Sequence, residues 1–148
     1  MIFFAVCVII NKQRPYRFPL NKYCLSIERN ETAMKQFSVI LIGAGDRGTT
    51  YIKHMKNMPE KFKIVAVAEP IEARRNFVKD LFDLSDSMCF ADWKDILDRP
   101  KLADIAIIAT MDEMHYEPAM KAIELGYDLL LEKPAAQEEG RIRARLPS

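Results

Sequence analysis

The chain has 148 residues, of which 49% are hydrophobic and 29% are charged, and its formal net charge is +1. This composition is typical of a soluble globular protein with one real core. The near-neutral charge provides no general attraction to nucleic acid or anionic lipid, so we expect neither partner. Three cysteines, far apart in the sequence, indicate neither a disulfide framework nor a metal site and are consistent with a reducing cytoplasm.

The first 33 residues differ from the rest of the chain. Residues 1–10 are almost wholly apolar, but a helix that spans a bilayer needs about 20 such residues. A signal peptide is not indicated, because the basic residues follow the apolar run instead of preceding it. We expect residues 1–33 to be a poorly ordered extension outside the fold, or a segment not translated in the cell, with Met34 as the start. A weak membrane anchor is the alternative.

A glycine-rich segment follows the first strand expected in the fold. Val39 to Ile42 is an unbroken apolar run, which is typical of a parallel strand buried on both faces. Three glycines follow with the spacing G-x-G-x-x-G: Gly43, Gly45 and Gly48. In a dinucleotide site the first permits a tight turn, the second lets a pyrophosphate approach the backbone, and the third lets the next helix pack closely. That helix would begin near residues 46–47, with the positive end of its dipole toward the phosphates.

An acidic residue stands where a dinucleotide site needs one. The glycine spacing alone is weak, since a glycine-rich loop can simply turn the chain. A second strand, Lys63 to Ala68, ends in Glu69, which lies 21 residues after Gly48. A carboxylate about 20 residues beyond the glycines can accept hydrogen bonds from an adenosine ribose. The order of strand, glycine turn, helix, strand and acid therefore favours nucleotide binding.

Strands and helices alternate over the remaining sequence. Apolar runs predict three further strands at residues 88–90, 105–109 and 129–131. The helices between them have ordinary start and stop residues: Pro70, Asp92 and Gly126. This alternation indicates right-handed crossovers and an α/β fold, a Rossmann-type doubly wound parallel sheet that stops after about five strands. Ligands of such sheets bind outside the carboxyl ends of the strands, where the glycine turn, Glu69, residues 110–115 and residues 132–134 all fall.

Four motifs resemble the nucleotide-binding half of the Gfo/Idh/MocA family, which includes glucose–fructose oxidoreductase and inositol dehydrogenase. They are Gly-Ala-Gly-Asp-Arg-Gly, Val-Ala-Val-Ala-Glu-Pro, Ile-Ile-Ala-Thr followed by His115, and Leu-Glu-Lys-Pro. The resemblance covers residues 37–137. It implies a Rossmann domain that relatives pair with a larger mixed-sheet domain, and hydride transfer between NAD or NADP and a sugar, polyol or related carbinol.

The resemblance also implies the residues of the site. Those expected at the cofactor are Gly43, Ala44, Gly45, Asp46, Arg47, Gly48, Glu69, Thr110, His115, Glu132, Lys133 and Pro134. Lys133 is the implied catalytic residue, because a cation beside the reacting oxygen stabilises a developing alkoxide. Desolvation and the positive nicotinamide would lower the pKa of Lys133 toward the working range. A surface lysine paired with Glu132 is the alternative for Lys133, and simple exposure is the alternative for His115.

Glu69 would repel a 2′-phosphate, which favours NAD over NADP, although Arg74 and Arg75 could accommodate NADP.

After Gln137 the resemblance ends, so we expect a domain at residues 34–137 and a solvated tail at residues 138–148. Because the family's second domain has no counterpart in the sequence, we expect a cytoplasmic fragment that is inactive alone. Its last strand would form an open apolar edge. Full-length relatives would act on a small sugar or polyol, possess no nucleic-acid or membrane partner, and form homo-oligomers. A non-catalytic nucleotide-binding sensor or interaction module is the alternative function.

Overall fold

The computed structural model describes residues 35–111 and 114–131, together with the backbone of residues 8–10. Within these residues the chain forms six strands, four α-helices and one 3₁₀ helix. In chain order they are β1 (Val8–Ile10), β2 (Phe37–Ile42), α1 (Asp46–Lys56), β3 (Phe62–Ala68), α2 (Glu72–Phe82), the 3₁₀ helix (Asp86–Met88), β4 (Cys89–Phe90), α3 (Trp93–Leu97), β5 (Ile105–Ile108), α4 (Tyr116–Glu124) and β6 (Asp128–Leu131).

The strands form one sheet in the order β1-β6-β5-β2-β3-β4. The five strands β2 to β6 are all parallel, and helices connect them, so the predicted Rossmann-type α/β fold is confirmed. From β2 the chain runs outward through β3 to β4 and then returns to β5 on the other side of β2. The strand order therefore reverses between β2 and β5, which is where open α/β sheets form a ligand crevice.

Alternate residues of β2 enter two separate cores on opposite faces of the sheet, because successive side chains of a strand point to opposite faces. On one face Val39 and Leu41 share a cluster with Ile52 of α1 and Val78 of α2. On the other face the partners come from α3 and α4, and the cluster includes Ile40, Ile42, Ile96, Leu97, Ala119 and Ala122. Burial on both faces explains why the sequence of this strand is apolar without alternation.

The N-terminal region departs from the expectation at one segment. Val8–Ile10 pairs antiparallel with residues 129–131 of β6, whereas we expected residues 1–33 to lie outside the fold and this edge to remain open. An edge strand presents unpaired N–H and C=O groups, and a short extended segment of the same chain can satisfy them. The edge is therefore covered over three residues. The other N-terminal residues and the expected tail at residues 138–148 lie outside the described residues.

The helix boundaries follow the predicted signals with one exception. Asp92 caps α3 by accepting a hydrogen bond of 2.9 Å from the N–H of Lys94, and Gly126, with a φ of 81°, ends the turn after α4. Pro70 does not open a helix, since α2 begins at Glu72. The reason is that the N–H of Ile71 donates to the Glu69 side chain at 2.9 Å, which keeps Ile71 extended.

Candidate functional site

The carboxyl ends of three neighbouring parallel strands bring the predicted groups to one edge of the sheet. The glycine turn follows β2, Glu69 follows β3, and Thr110 comes shortly after β5. Glu132, Lys133 and Pro134 follow β6 in sequence but lie outside the described residues. The described part of the site is therefore the glycine turn with its neighbours on both sides.

The three glycines meet three different surroundings. At Gly43 the φ is +89°, and an added Cβ would lie 2.6 Å from the carbonyl oxygen of Ala109. At Gly48 an added Cβ would lie 2.1 Å from the oxygen of Gly43. Gly43 is thus needed for a turn that passes beside β5, and Gly48 for the close approach of α1 to the strand.

At Gly45 the space is open. Apart from its chain neighbours, the described residues would place one heavy atom within 4 Å of an added Cβ, the Nη1 atom of Arg74 at 3.9 Å. Gly45 is the N-cap of α1 and supplies no side-chain acceptor to the first-turn N–H groups. Asp46 and Arg47, the first two residues of the helix, are exposed. A bare backbone at the positive end of an 11-residue helix can receive an anion such as a pyrophosphate.

Glu69 is buried, with only 4% of its surface exposed. One carboxylate oxygen accepts a hydrogen bond of 2.7 Å from the N–H of Ala44, and the other accepts the N–H of Ile71 at 2.9 Å. A carboxylate offers about four lone-pair sites, so these two bonds leave capacity for a further donor. Glu69 therefore shapes the glycine turn in addition to presenting an acid beside it.

The two arginines of α2 occupy different positions. The Nη1 atom of Arg75 donates to the carbonyl oxygen of Glu69 at 2.6 Å and to that of Pro70 at 3.3 Å, which holds the guanidinium on the backbone. Arg74 is exposed, and its guanidinium lies beside the open face of Gly45. Of the two cations, Arg74 is the one placed where a phosphate would approach.

Thr110 and His115 are joined across the loop between β5 and α4. The Oγ1 atom of Thr110 lies 2.8 Å from the Nδ1 atom of His115. The imidazole is 1% exposed, so the alternative of an exposed histidine is wrong. The backbone N of Thr110 would lie 2.8 Å from a Cβ on Gly43, which places this loop directly against the glycine turn.

The described residues carry neither a metal cluster nor a membrane span. In residues 35–111 and 114–131 no three His, Cys, Asp or Glu side chains form a group that could hold a metal ion. Within the same part of the chain no helix is both long and apolar enough to cross a bilayer. The polar groups at the sheet edge are a backbone turn that is open at Gly45 and a buried carboxylate, which are the kinds of group that dinucleotide sites use.

Comparison with known families decides the classification. Residues 37–143 match the oxidoreductase family described as having an NAD-binding Rossmann fold, Gfo/Idh/MocA. The chain belongs to this family. Its Gfo/Idh/MocA region is thus an NAD-binding Rossmann domain, which agrees with the open glycine turn and the acid across from it.

Similar proteins are longer than the region they share with this chain. Levoglucosan dehydrogenase from Pseudarthrobacter phenanthrenivorans is 34% identical over 116 residues, covering 70% of this chain and 28% of that enzyme. The solved structure of scyllo-inositol dehydrogenase from Lactobacillus casei has a TM-score of 0.64 at 18% identity, covering 76% of this chain and 34% of the other. WlbA dehydrogenase from Bordetella pertussis, solved with NADH and UDP-GlcNAcA, has a TM-score of 0.64 at 18% identity and covers 75% and 33%. This Gfo/Idh/MocA chain therefore spans about a third of the length of these relatives.

Sequence reasoning missed three contacts at this edge. The first is the pair of hydrogen bonds that the Glu69 carboxylate accepts from two backbone N–H groups. The second is the hydrogen bond from the Arg75 guanidinium to backbone carbonyl oxygen, and the third is the hydrogen bond between Thr110 and His115. The only hint of the third was a histidine five residues after a threonine across a strand-to-helix loop. The first two depend on the tertiary approach of β2, β3 and α2, which sequence spacing does not encode.

Proposed function

We propose that this chain supplies the cofactor-binding half of an NAD(P)-dependent oxidoreductase that transfers hydride to or from a sugar, polyol or related carbinol. The cofactor pyrophosphate would lie against the turn at residues 43–48, and Glu69 would accept hydrogen bonds from the adenosine ribose. Thr110 and the loop to His115 would border the nicotinamide half. The names of two relatives, a levoglucosan and a scyllo-inositol dehydrogenase, support a polyhydroxylated substrate.

The single observation that carries this proposal is the open backbone at Gly45. Its surroundings contrast with those of Gly43 and Gly48, where an added Cβ would meet protein atoms at 2.6 and 2.1 Å. A turn built only to connect a strand with a helix has no need for unfilled space at its middle glycine. Among the described residues beyond its chain neighbours, the nearest atom to that space belongs to a cation, Arg74, and this combination suits a bound anion.

Lys133 is the proposed catalytic residue. When bound, NAD(P) accepts or donates the hydride. As the carbinol C–H bond breaks, the hydroxyl proton must leave, and an ammonium group beside the oxygen stabilises the charge that develops there. Glu132 and Pro134 would fix the direction of this side chain. The proposal for these three residues rests on the Leu-Glu-Lys-Pro motif after β6.

The test of nucleotide binding is a titration of the full chain with NADH, followed by nucleotide fluorescence. The expected result is saturable binding that ADP-ribose displaces, because both ligands share the adenosine and pyrophosphate groups. A sample shown by circular dichroism to be folded, yet without binding at millimolar NADH, would contradict the proposal.

We further propose that this chain alone does not turn over a carbinol at a rate typical of the family. The support is that the shared region covers 28% of levoglucosan dehydrogenase. Incubation with NAD and a panel of sugars and polyols, followed by NADH absorbance, should show no turnover. Sustained turnover that Lys133→Met abolishes would contradict this expectation and would also reject the alternative of a non-catalytic nucleotide sensor.

A further inference from the structure

The loop between β5 and α4 contains a buried polar pair. His115 stands at the N-cap position of α4 but makes no side-chain capping hydrogen bond. Residues preferred at this position direct an oxygen at the first-turn N–H groups, whereas the Nδ1 atom of His115 lies 2.8 Å from the Oγ1 atom of Thr110. The ring is 1% exposed, and burial of a polar ring is unfavourable unless it is hydrogen-bonded. The side chain of His115 therefore stabilises the loop before α4 and does not cap the helix.

Thr110 in turn lies against the first glycine of the turn. Its backbone N and the carbonyl oxygen of Ala109 would lie 2.8 and 2.6 Å from a Cβ on Gly43. The N–H of Ala109 donates to the oxygen of Ile42 at 2.8 Å, which continues the pairing of β5 with β2. The backbone at the start of the loop is thus held by its hydrogen bond to β2, and the Thr110 side chain is held by its hydrogen bond to the imidazole.

The position of this loop in the sheet relates it to one half of a dinucleotide. Glu69, the acid for the adenosine ribose, follows β3 on one side of β2, and Thr110 follows β5 on the other side. A dinucleotide whose pyrophosphate lies at the β2–α1 turn extends its adenosine toward β3 and its second nucleoside toward β5. Movement of Thr110 would accordingly change the binding of the second nucleoside and leave the binding of the adenosine unchanged.

We propose that His115 is a positioning residue that fixes Thr110 and, through it, the wall of the nicotinamide half of the cofactor site. This inference rests on the proposed function. Because the imidazole is buried, it acts without touching the ligand. It sets the direction of the Thr110 hydroxyl, which either donates to Nδ1 or accepts from it, and so determines what that hydroxyl can offer a ligand.

The test compares two variants of nearly equal shape in the full chain. His115→Asn retains a polar atom at the position of Nδ1, and His115→Leu removes it, while both lose the same part of the ring. His115→Leu should weaken NADH binding by about five- to tenfold and change ADP-ribose binding by less than about twofold. His115→Asn should stay close to the unaltered chain for both ligands. In a Thr110→Val background, which has no hydroxyl, His115→Leu should have little further effect.

Equal weakening of NADH and ADP-ribose by His115→Leu would overturn the proposal, as would unchanged NADH binding or equal effects of the Asn and Leu variants. Amide hydrogen exchange without nucleotide tests the same point independently. The Met114 N–H, which donates to the Met111 oxygen within the loop at 2.8 Å, should exchange faster in His115→Leu than in His115→Asn, and equal rates would reject the positioning role. If the unaltered chain bound neither ligand, the proposed function would fail, and the exchange comparison would still decide whether His115 holds the loop.

Discussion

The carboxylate of Glu69 accepts a hydrogen bond of 2.7 Å from the backbone N–H of Ala44, which joins the end of β3 to the middle of the glycine turn. Its other oxygen accepts the N–H of Ile71. A single buried side chain thus fixes the conformation of the turn and the start of the segment that leads into α2. The acid proposed to bind a ribose is therefore also part of the framework that shapes the proposed pyrophosphate site.

Glu69→Gln should destabilise the folded chain even without nucleotide. A glutamine has only one acceptor oxygen, so either the buried N–H of Ala44 or the partly buried N–H of Ile71 would face an NH₂ group instead. We expect the free energy of unfolding to fall by about 1–3 kcal/mol, measured by urea denaturation. Glu60→Gln, at an exposed turn, is the control and should have little effect. Equal midpoints for the two variants would show that the Glu69 contacts contribute nothing to stability.

The middle and last glycines of the turn should respond differently to alanine. Gly45 has a φ of −73°, and among the described residues other than its chain neighbours no atom lies closer than 3.9 Å to an added Cβ, so Gly45→Ala should change stability by less than about 0.5 kcal/mol. It should nevertheless weaken NADH binding at least about tenfold, because the methyl group would occupy the space of the phosphate.

Gly48→Ala is the matched comparison. The added Cβ would lie 2.1 Å from the Gly43 oxygen and 3.2 Å from a methyl group of Leu41, so we expect a loss of about 3 kcal/mol of stability from overpacking. Thermal denaturation of both variants, together with NADH titration, separates the two roles. If Gly45→Ala bound NADH normally, the phosphate would not lie against this backbone.

The elements of this fold were readable from local patterns, whereas the contacts of the site were not. Residue type reports directly on burial and backbone conformation at its own position. This is why the sequence was enough to predict the buried strand at residues 39–42 and the glycine turn after it. The bond from Ala44 to Glu69 joins residues 25 positions apart, and the burial of His115 depends on how α4 packs against β5. The pairing of Val8–Ile10 with β6 was missed because a short apolar segment has no periodicity that identifies its partner strand.

Arg74 should influence the choice between NADPH and NADH. Arg74 is exposed and lies in the first turn of α2, five residues after Glu69, the proposed ligand of the adenosine ribose that carries the additional phosphate of NADPH. The guanidinium of Arg75 is instead engaged by the carbonyl oxygens of Glu69 and Pro70. Arg74→Gln should therefore weaken NADPH binding more than NADH binding, by a ratio of about three- to tenfold. Competition titrations with both cofactors measure this ratio, and Arg75→Gln should leave it unchanged. An unchanged ratio in Arg74→Gln would mean that Arg74 does not contact a 2′-phosphate.

Asp104 should make stability depend on pH at the opposite end of the sheet. Its carboxylate accepts hydrogen bonds of 3.0 Å from the N–H and hydroxyl of Ser38 and one of 3.2 Å from Lys35. These bonds, led by that from the Ser38 backbone, lower the pKa of Asp104 below its ordinary value. Because the folded pKa is the lower one, the stabilisation is complete above the unfolded pKa and is lost as pH falls through the folded pKa.

Asp104→Asn should accordingly lose on the order of 1 kcal/mol at pH 7. Its stability should also decline less than that of the unaltered chain between about pH 5 and the lowered pKa. Urea midpoints across this range test both statements, with Asp95→Asn, an exposed position on α3, as the control. Parallel acid limbs for Asp104→Asn and the unaltered chain would rule out this contribution.

The strand Val8–Ile10 should protect β6 from pairing with other molecules. It is antiparallel to residues 129–131, and removing it would expose the N–H and C=O groups of an apolar edge. Deletion of residues 1–33 should therefore produce concentration-dependent self-association, detected by sedimentation velocity. Deletion of residues 1–6, which retains the strand, is the control for loss of the N-terminal residues as such. If both truncated chains sedimented as the unaltered chain does at every concentration, the β1 pairing would have no protective role.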